Sequence, residues 1–274
     1  MTAHQLRGFA KNFLTLAIGV LALIGALFVL VFIGMQFGWF NVRGSISERN
    51  NFYTASAATS LTTHCAGTPE PWCASAEWAT VREGLKKDKL VIARVAQEAG
   101  VPARLISAAV VPEQIRFFTA EREVYKRVFE PLKILGSMSQ FSLGVSGIKL
   151  ETAEEIERRT PDVLRHLIEY QEGENKKTEL YARLTDPKDH YYSYLYTALY
   201  IRAIEREWSD AGYPLYGKPA ITATLFNIGF ENSAPKPNPA VGGAPIEISG
   251  EALSFGAFAG RFYDSDELVD IFPR

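Results

Sequence analysis

A chain of 274 residues, 47% apolar and 22% charged, has room for one good-sized domain plus an appendage and fits neither a disordered nor a fibrous class. The net charge is −2, with +3 on residues 1–43 (Arg7, Lys11, Arg43) and −5 on the remainder. A mildly acidic domain lacks the basic stripe of a nucleic-acid binder, and no zinc-ligand spacing is present, so nucleic acid, metal and cofactor are not expected.

In chain order, residues 1–12 form a basic N-terminus. From Phe13 to Gly34 no charged side chain occurs, a run of about 22 residues where a helix needs roughly 20 to cross a hydrocarbon layer. The pattern predicts a transmembrane helix over residues 13–36. Arg7 and Lys11 precede the run and the first acidic residue is Glu48, which keeps the N-terminus in the cytoplasm. A cleavable signal peptide would have a shorter apolar region, about 7–15 residues, and a small-residue cleavage site. Here Met35 to Phe40 is bulky, with Trp39 and Phe40 suited to the interface, so the segment reads as a signal anchor.

Residues 37–75 read as a tether outside the cytoplasm. Cys65 and Cys73, the two cysteines of the chain, flank Gly67, Pro69 and Pro71. In that compartment a disulfide is preferred to two separate thiols. His64 would add only a third ligand to a metal site.

Residues 76–274 then read as a mainly α domain. Helices are predicted over Ala76–Lys89, over Leu90–Ala99 with Gly100 as its stop, and onward from Val101-Pro102. Residues 121–129 suggest a short amphipathic helix. Residues 136–147, rich in Ser and Gly, suggest a loop across a cleft. Thr152 is a candidate cap for a helix through Glu157, Pro161 to Tyr170 continues helically, and Glu172 to Lys177 is a polar interruption. A long helix spans Tyr191–Trp208 and a core helix Ala220–Phe226. Pro235 to Gly243 form a loop, and residues 255–272 an aromatic-acidic end. Strand signals are few.

Three short elements carry chemistry. Glu113 follows Ala108-Ala-Val-Val-Pro112 and precedes Ile115, Phe117 and Phe118. Burial in such company disfavours the carboxylate and favours a protonated acid. The plainer alternative is a surface ion pair with Arg104, Arg116 or Arg122. About thirty residues on comes Gly144-Val-Ser-Gly-Ile-Lys-Leu-Glu-Thr152-Ala153, which reads either as a backbone approach to a ligand or as a Gly/Ser linker. Far downstream lies Leu225-Phe226-Asn227-Ile228-Gly229, in which Asn-x-Gly is also an ordinary helix stop.

In order and approximate spacing, these elements resemble the three motifs of the soluble lytic transglycosylases, of the lysozyme-like superfamily. The resemblance covers roughly residues 90–232. Gly144, Ile148, Thr152 and Ala153 match the loop motif, while Gly147 and Leu150 stand where Gln and Pro are usual. Gln114 replaces the common Ser after the acid, and Phe226 replaces a tyrosine. About thirty-five residues separate Ala153 from Tyr191, more than is usual.

The resemblance implies a lysozyme-like helical domain in which Glu113 is the catalytic acid. Gln114, Phe117, Ser142, Gly144, Ser146, Gly147, Ile148, Tyr191, Phe226 and Asn227 would bind substrate, with Ser139, Gln140, Ser142 or Tyr191 as candidate helpers. It implies cleavage of the bond between N-acetylmuramic acid and N-acetylglucosamine to a 1,6-anhydro product. No second carboxylate is required for that reaction. The expected partners are peptidoglycan strands, the membrane through one helix, and envelope assembly proteins. The expected location is the bacterial inner membrane, single-pass, with the C-terminal domain in the periplasm. A non-catalytic envelope scaffold and a hydrolysing muramidase are the alternatives.

Overall fold

A computed structural model describes Thr15 and residues 19–27, 29–30, 70–119, 142–170, 175–186 and 188–274. Residues 19–27 and 29–30 are helical with exposed side chains, Leu23 and Leu30 among them. No helix among the described residues is long and apolar enough to cross a membrane. Most of the tether, the helix expected over 121–129, and Ser139 and Gln140 lie outside the described residues.

The domain is mainly helical. After a 3-10 turn at Pro71–Ala74 come α1 (Ala76–Lys87), α2 (Lys89–Ala99) and α3 (Ala103–Thr119). Ser75 caps α1 by accepting from the Trp78 amide at 3.0 Å, and α2 ends at left-handed Gly100. Every residue from Arg104 to Ile115 is buried, because α3 is mostly apolar and neighbours α1, α2 and the later helices. It is the axis of the domain.

A minimal hairpin follows, β1 (Ser142–Leu143) antiparallel to β2 (Ile148–Lys149), where a plain loop was expected. Next come α4 (Leu150–Arg159), a 3-10 stretch at Asp162–Leu167, α5 (Lys176–Thr185) and α6 (Tyr191–Asp210). Lys149 holds the N-cap position of α4, so Thr152 lies inside the helix and does not cap it. Of the expected polar interruption, residues 172–174 lie outside the described residues. Asn175 accepts from the amides of Lys177 and Thr178 and starts α5 within it.

α7 (Pro219–Ile228), the hairpin β3 (Pro245–Ile248) and β4 (Glu251–Ser254), and α8 (Phe255–Asp264) complete the fold. The β3–β4 hairpin is absent from the sequence expectation. α7 and α8 approach closely because α8 carries glycine at the crossing. A Cβ on Gly256 would lie 1.9 Å from Thr224 Oγ1 and 2.5 Å from the Ala220 carbonyl. The end of the chain is held by Arg104, which is fully buried. Its guanidinium donates to the carbonyls of Phe262, Tyr263, Ser265, Glu267 and Phe272. Burial lowers its pKa from the ordinary arginine value.

Candidate active-site cleft

Glu113 sits in the second half of α3, directly after Pro112. Proline leaves the helix one backbone donor short at this point. The Glu113 side chain is 3% exposed, and the Arg116 guanidinium, itself largely buried, lies 3.9 Å away. The surface ion pair considered from sequence is therefore a buried one. Arg104 is not its partner, being occupied by the C-terminal carbonyls. Arg122 lies outside the described residues.

Glu113 lines a cavity of about 630 Å³. Ser146, Gly147 and Ile148 of the first hairpin form one wall. The face of α4 bearing Thr152, Glu155, Arg158 and Arg159 continues it. Phe226, Asn227 and Gly229 at the end of α7, with Phe230 and Tyr200, also line it. The three sequence elements thus meet around one space, of a size usual for small-ligand sites.

The hairpin is fixed from beneath. Val145 N–H donates to Ser193 Oγ at 3.0 Å, and Ser146 Oγ donates to the Ser193 carbonyl at 3.0 Å. Gly144 packs against the same serine in a left-handed conformation (φ +63°). A Cβ there would stand 2.2 Å from Ser193 Oγ and 2.3 Å from the Leu184 carbonyl. Glycine at 144 therefore serves the seat of the hairpin on α6, and Gly144 is not among the cavity-lining residues.

Gln114 and Tyr191 also lie off the cavity. The Gln114 amide donates to the Val145 carbonyl. The Tyr191 hydroxyl donates to Glu98 at 2.5 Å, and the Arg94 guanidinium covers its ring at 4.5 Å. Tyr191 joins α6 to α2. Of Phe117 and Ser142 only the backbone is described. Asn227 lines the cavity while its Oδ1 accepts from the Ala244 amide at 2.8 Å, which fixes the orientation of the side chain.

Of the α4 wall, sequence reasoning named Thr152 but missed Glu155, Arg158 and Arg159, and it missed Tyr200. Glu155 bonds both Arg158 and Arg159. Arg159 also reaches Glu207 at 3.0 Å and lies over the Phe230 ring at 4.1 Å. The hydrogen bond from Arg159 and the charges of both arginines hold the Glu155 carboxyl below the usual carboxylate range.

Cys73 is buried and disulfide-bonded; the other cysteine, Cys65, lies outside the described residues. Among the described residues no group of three or more His, Cys, Asp or Glu side chains is placed to hold a metal ion. No protein-family model, curated protein or solved structure matches the chain.

Proposed function

We propose that the chain is a peptidoglycan lytic transglycosylase with a lysozyme-like helical domain, tethered to the bacterial inner membrane by residues 13–36 and working in the periplasm. One observation carries this reading: a carboxyl 3% exposed stands on the wall of a cavity whose other walls are the glycine hairpin and the Phe226–Gly229 turn. Acid-catalysed glycoside cleavage needs such a carboxyl beside a space that fits sugar rings.

In the proposed reaction Glu113 gives its proton to the glycosidic oxygen as the C1–O bond of N-acetylmuramic acid breaks. The substrate's own acetamido oxygen supports the positive charge at C1, so no second carboxylate is needed. The Glu113 carboxylate then takes the proton of the 6-hydroxyl, whose oxygen closes on C1. The products are a 1,6-anhydro sugar and a free 4-hydroxyl, the acid is regenerated, and no water is consumed.

Arg116 favours a second reading. A cation 3.9 Å from Glu113 is the contact that a structural glutamate makes, and it suits a scaffold that holds glycan without cutting it. The full chain, purified in detergent and incubated with peptidoglycan, separates the readings by mass spectrometry. Anhydro-ended fragments, lost in Glu113→Gln, are expected. Reducing ends would assign a hydrolase, and no soluble fragments would leave the scaffold.

A further inference from the structure

Tyr200 lies midway along α6, its ring centroid 5.0 Å from that of Phe226 and 4.4 Å from that of Phe230. The residue is 2% exposed and lines the cavity that holds Glu113. Its hydroxyl is buried and meets no hydrogen-bond partner within bonding geometry among the described residues. The nearby Phe230 amide favours the ionised phenol a little, but burial outweighs it and pushes the group up from its ordinary value. At neutral pH the side chain is an uncharged O–H donor with its donor capacity unused.

A phenylalanine would fill the same volume without the desolvation penalty of a buried unsatisfied hydroxyl. Something else must therefore meet the hydroxyl, and the cavity is where that partner arrives. Gly229 keeps the space beside it clear: a Cβ at 229 would stand 3.9 Å from the oxygen. The lining next to the ring is apolar, made of Phe226 and Phe230, within a cavity that also carries Asn227 and Arg159. A donor set beside such an apolar stretch fits a ligand group with an acceptor oxygen next to a methyl group. An acetamido substituent has that shape.

We propose that Tyr200 is a substrate-binding residue, its hydroxyl donating to the acetamido carbonyl oxygen of a 2-acetamido sugar in this cavity. The assignment rests on the glycan reading above. It predicts that recognition depends on the N-acetyl group as well as on the sugar ring.

The test uses the full chain in detergent with Glu113→Gln in the background, so that binding is read without turnover. Tetra-N-acetylchitotetraose and its fully de-N-acetylated counterpart serve as probes in calorimetry. Adding Tyr200→Phe is expected to weaken binding of the acetylated oligomer about five- to tenfold. Binding of the deacetylated oligomer should stay unchanged, and the melting temperature should be no lower. Equal affinity of both proteins for the acetylated oligomer overturns the role of Tyr200 and leaves the glycan reading standing. An equal loss on both oligomers, or a fall in melting temperature, makes the effect structural and overturns the acetamido contact. No binding of the acetylated oligomer by the Glu113→Gln protein removes the glycan reading and this assignment with it.

Discussion

The side-chain amide of Gln114 donates to the backbone carbonyl of Val145. The residue after the candidate acid therefore holds the hairpin that lines the same cavity as that acid. Its chemistry is internal: Gln114 is fully buried and bridges α3 to the hairpin. Gln114→Ala leaves a buried carbonyl unsatisfied and opens space behind it, which costs about 1–3 kcal/mol. The expected result is a folded protein with a lowered melting temperature and, under the proposed function, reduced release of peptidoglycan fragments. Full activity in this variant would show that the hairpin position does not matter to the site.

Ser193 holds the same hairpin from α6. Its hydroxyl accepts from Val145 and its carbonyl from Ser146, so Ser193→Ala removes the first bond and keeps the second. A loss of about 1–3 kcal/mol is expected from the buried Val145 amide alone. Gly144→Ala should be worse, because a left-handed residue gains a side chain that meets Ser193 Oγ at 2.2 Å and a backbone carbonyl at 2.3 Å. Thermal unfolding of the two variants checks the ranking. If Gly144→Ala is the milder, the packing account of the glycine is wrong.

Helices were easier to read than the contacts they make. α2 and α3 are legible because Gly100 and Pro102 punctuate a continuous apolar pattern, and α2 ends and α3 begins beside those residues. α5 is obscured because its first residues, Lys176 and Lys177, continue a polar stretch; the Asn175 cap is the signal that places it. The β3–β4 hairpin escapes notice for a different reason. Ile246 and Ile248 alternate with exposed Pro245 and Glu247 over only four residues, too short a pattern to stand out. At the cavity, Glu113, Ser146, Gly147, Ile148, Phe226 and Asn227 were all singled out in sequence and all line it. Tyr200 is invisible in sequence because its spacing on α6 marks it only as core. Its value lies in its neighbours, Phe226 and Phe230, which come from distant parts of the chain.

Glu155 organises the α4 wall through two arginines, and its carboxyl is held below the ordinary carboxylate range, first by the Arg159 hydrogen bond. A depressed folded-state value means that the stabilisation is complete above the unfolded carboxylate value. It is lost as pH falls through the lower folded one. Denaturation midpoints measured below about pH 4.5 should therefore fall less steeply for Glu155→Gln than for the native chain, with little difference in slope near pH 7. Parallel curves across the acid range would mean that the Glu155 cluster adds nothing to stability.

Arg104 carries the sharpest stability prediction, because one side chain satisfies the carbonyls at the end of α8 and beyond. Five donor contacts reach Phe262, Tyr263, Ser265, Glu267 and Phe272, at distances from 2.5 to 3.1 Å. Without them the Glu267 and Phe272 carbonyls lose this donor, while Phe262 keeps Ser265 Oγ and Tyr263 and Ser265 keep Arg274. Glu267 extends the lock, since it accepts from Trp78 Nε1 at 3.2 Å and pairs with Arg82 at 3.2 Å, tying the same segment to α1. Replacing a buried charge by an apolar group is sometimes harmless, but that holds when the partner is removed as well. Here the partners are backbone and remain. Arg104→Met should cost about 3–5 kcal/mol, roughly 10 °C in melting temperature for a domain of this size. Arg104→Lys should recover only part of that, because an ammonium has three donors and no planar fork. Limited proteolysis should then cut first between residues 262 and 274, ahead of any site in α3, since loss of the clamp frees the chain end before it disturbs the axis helix.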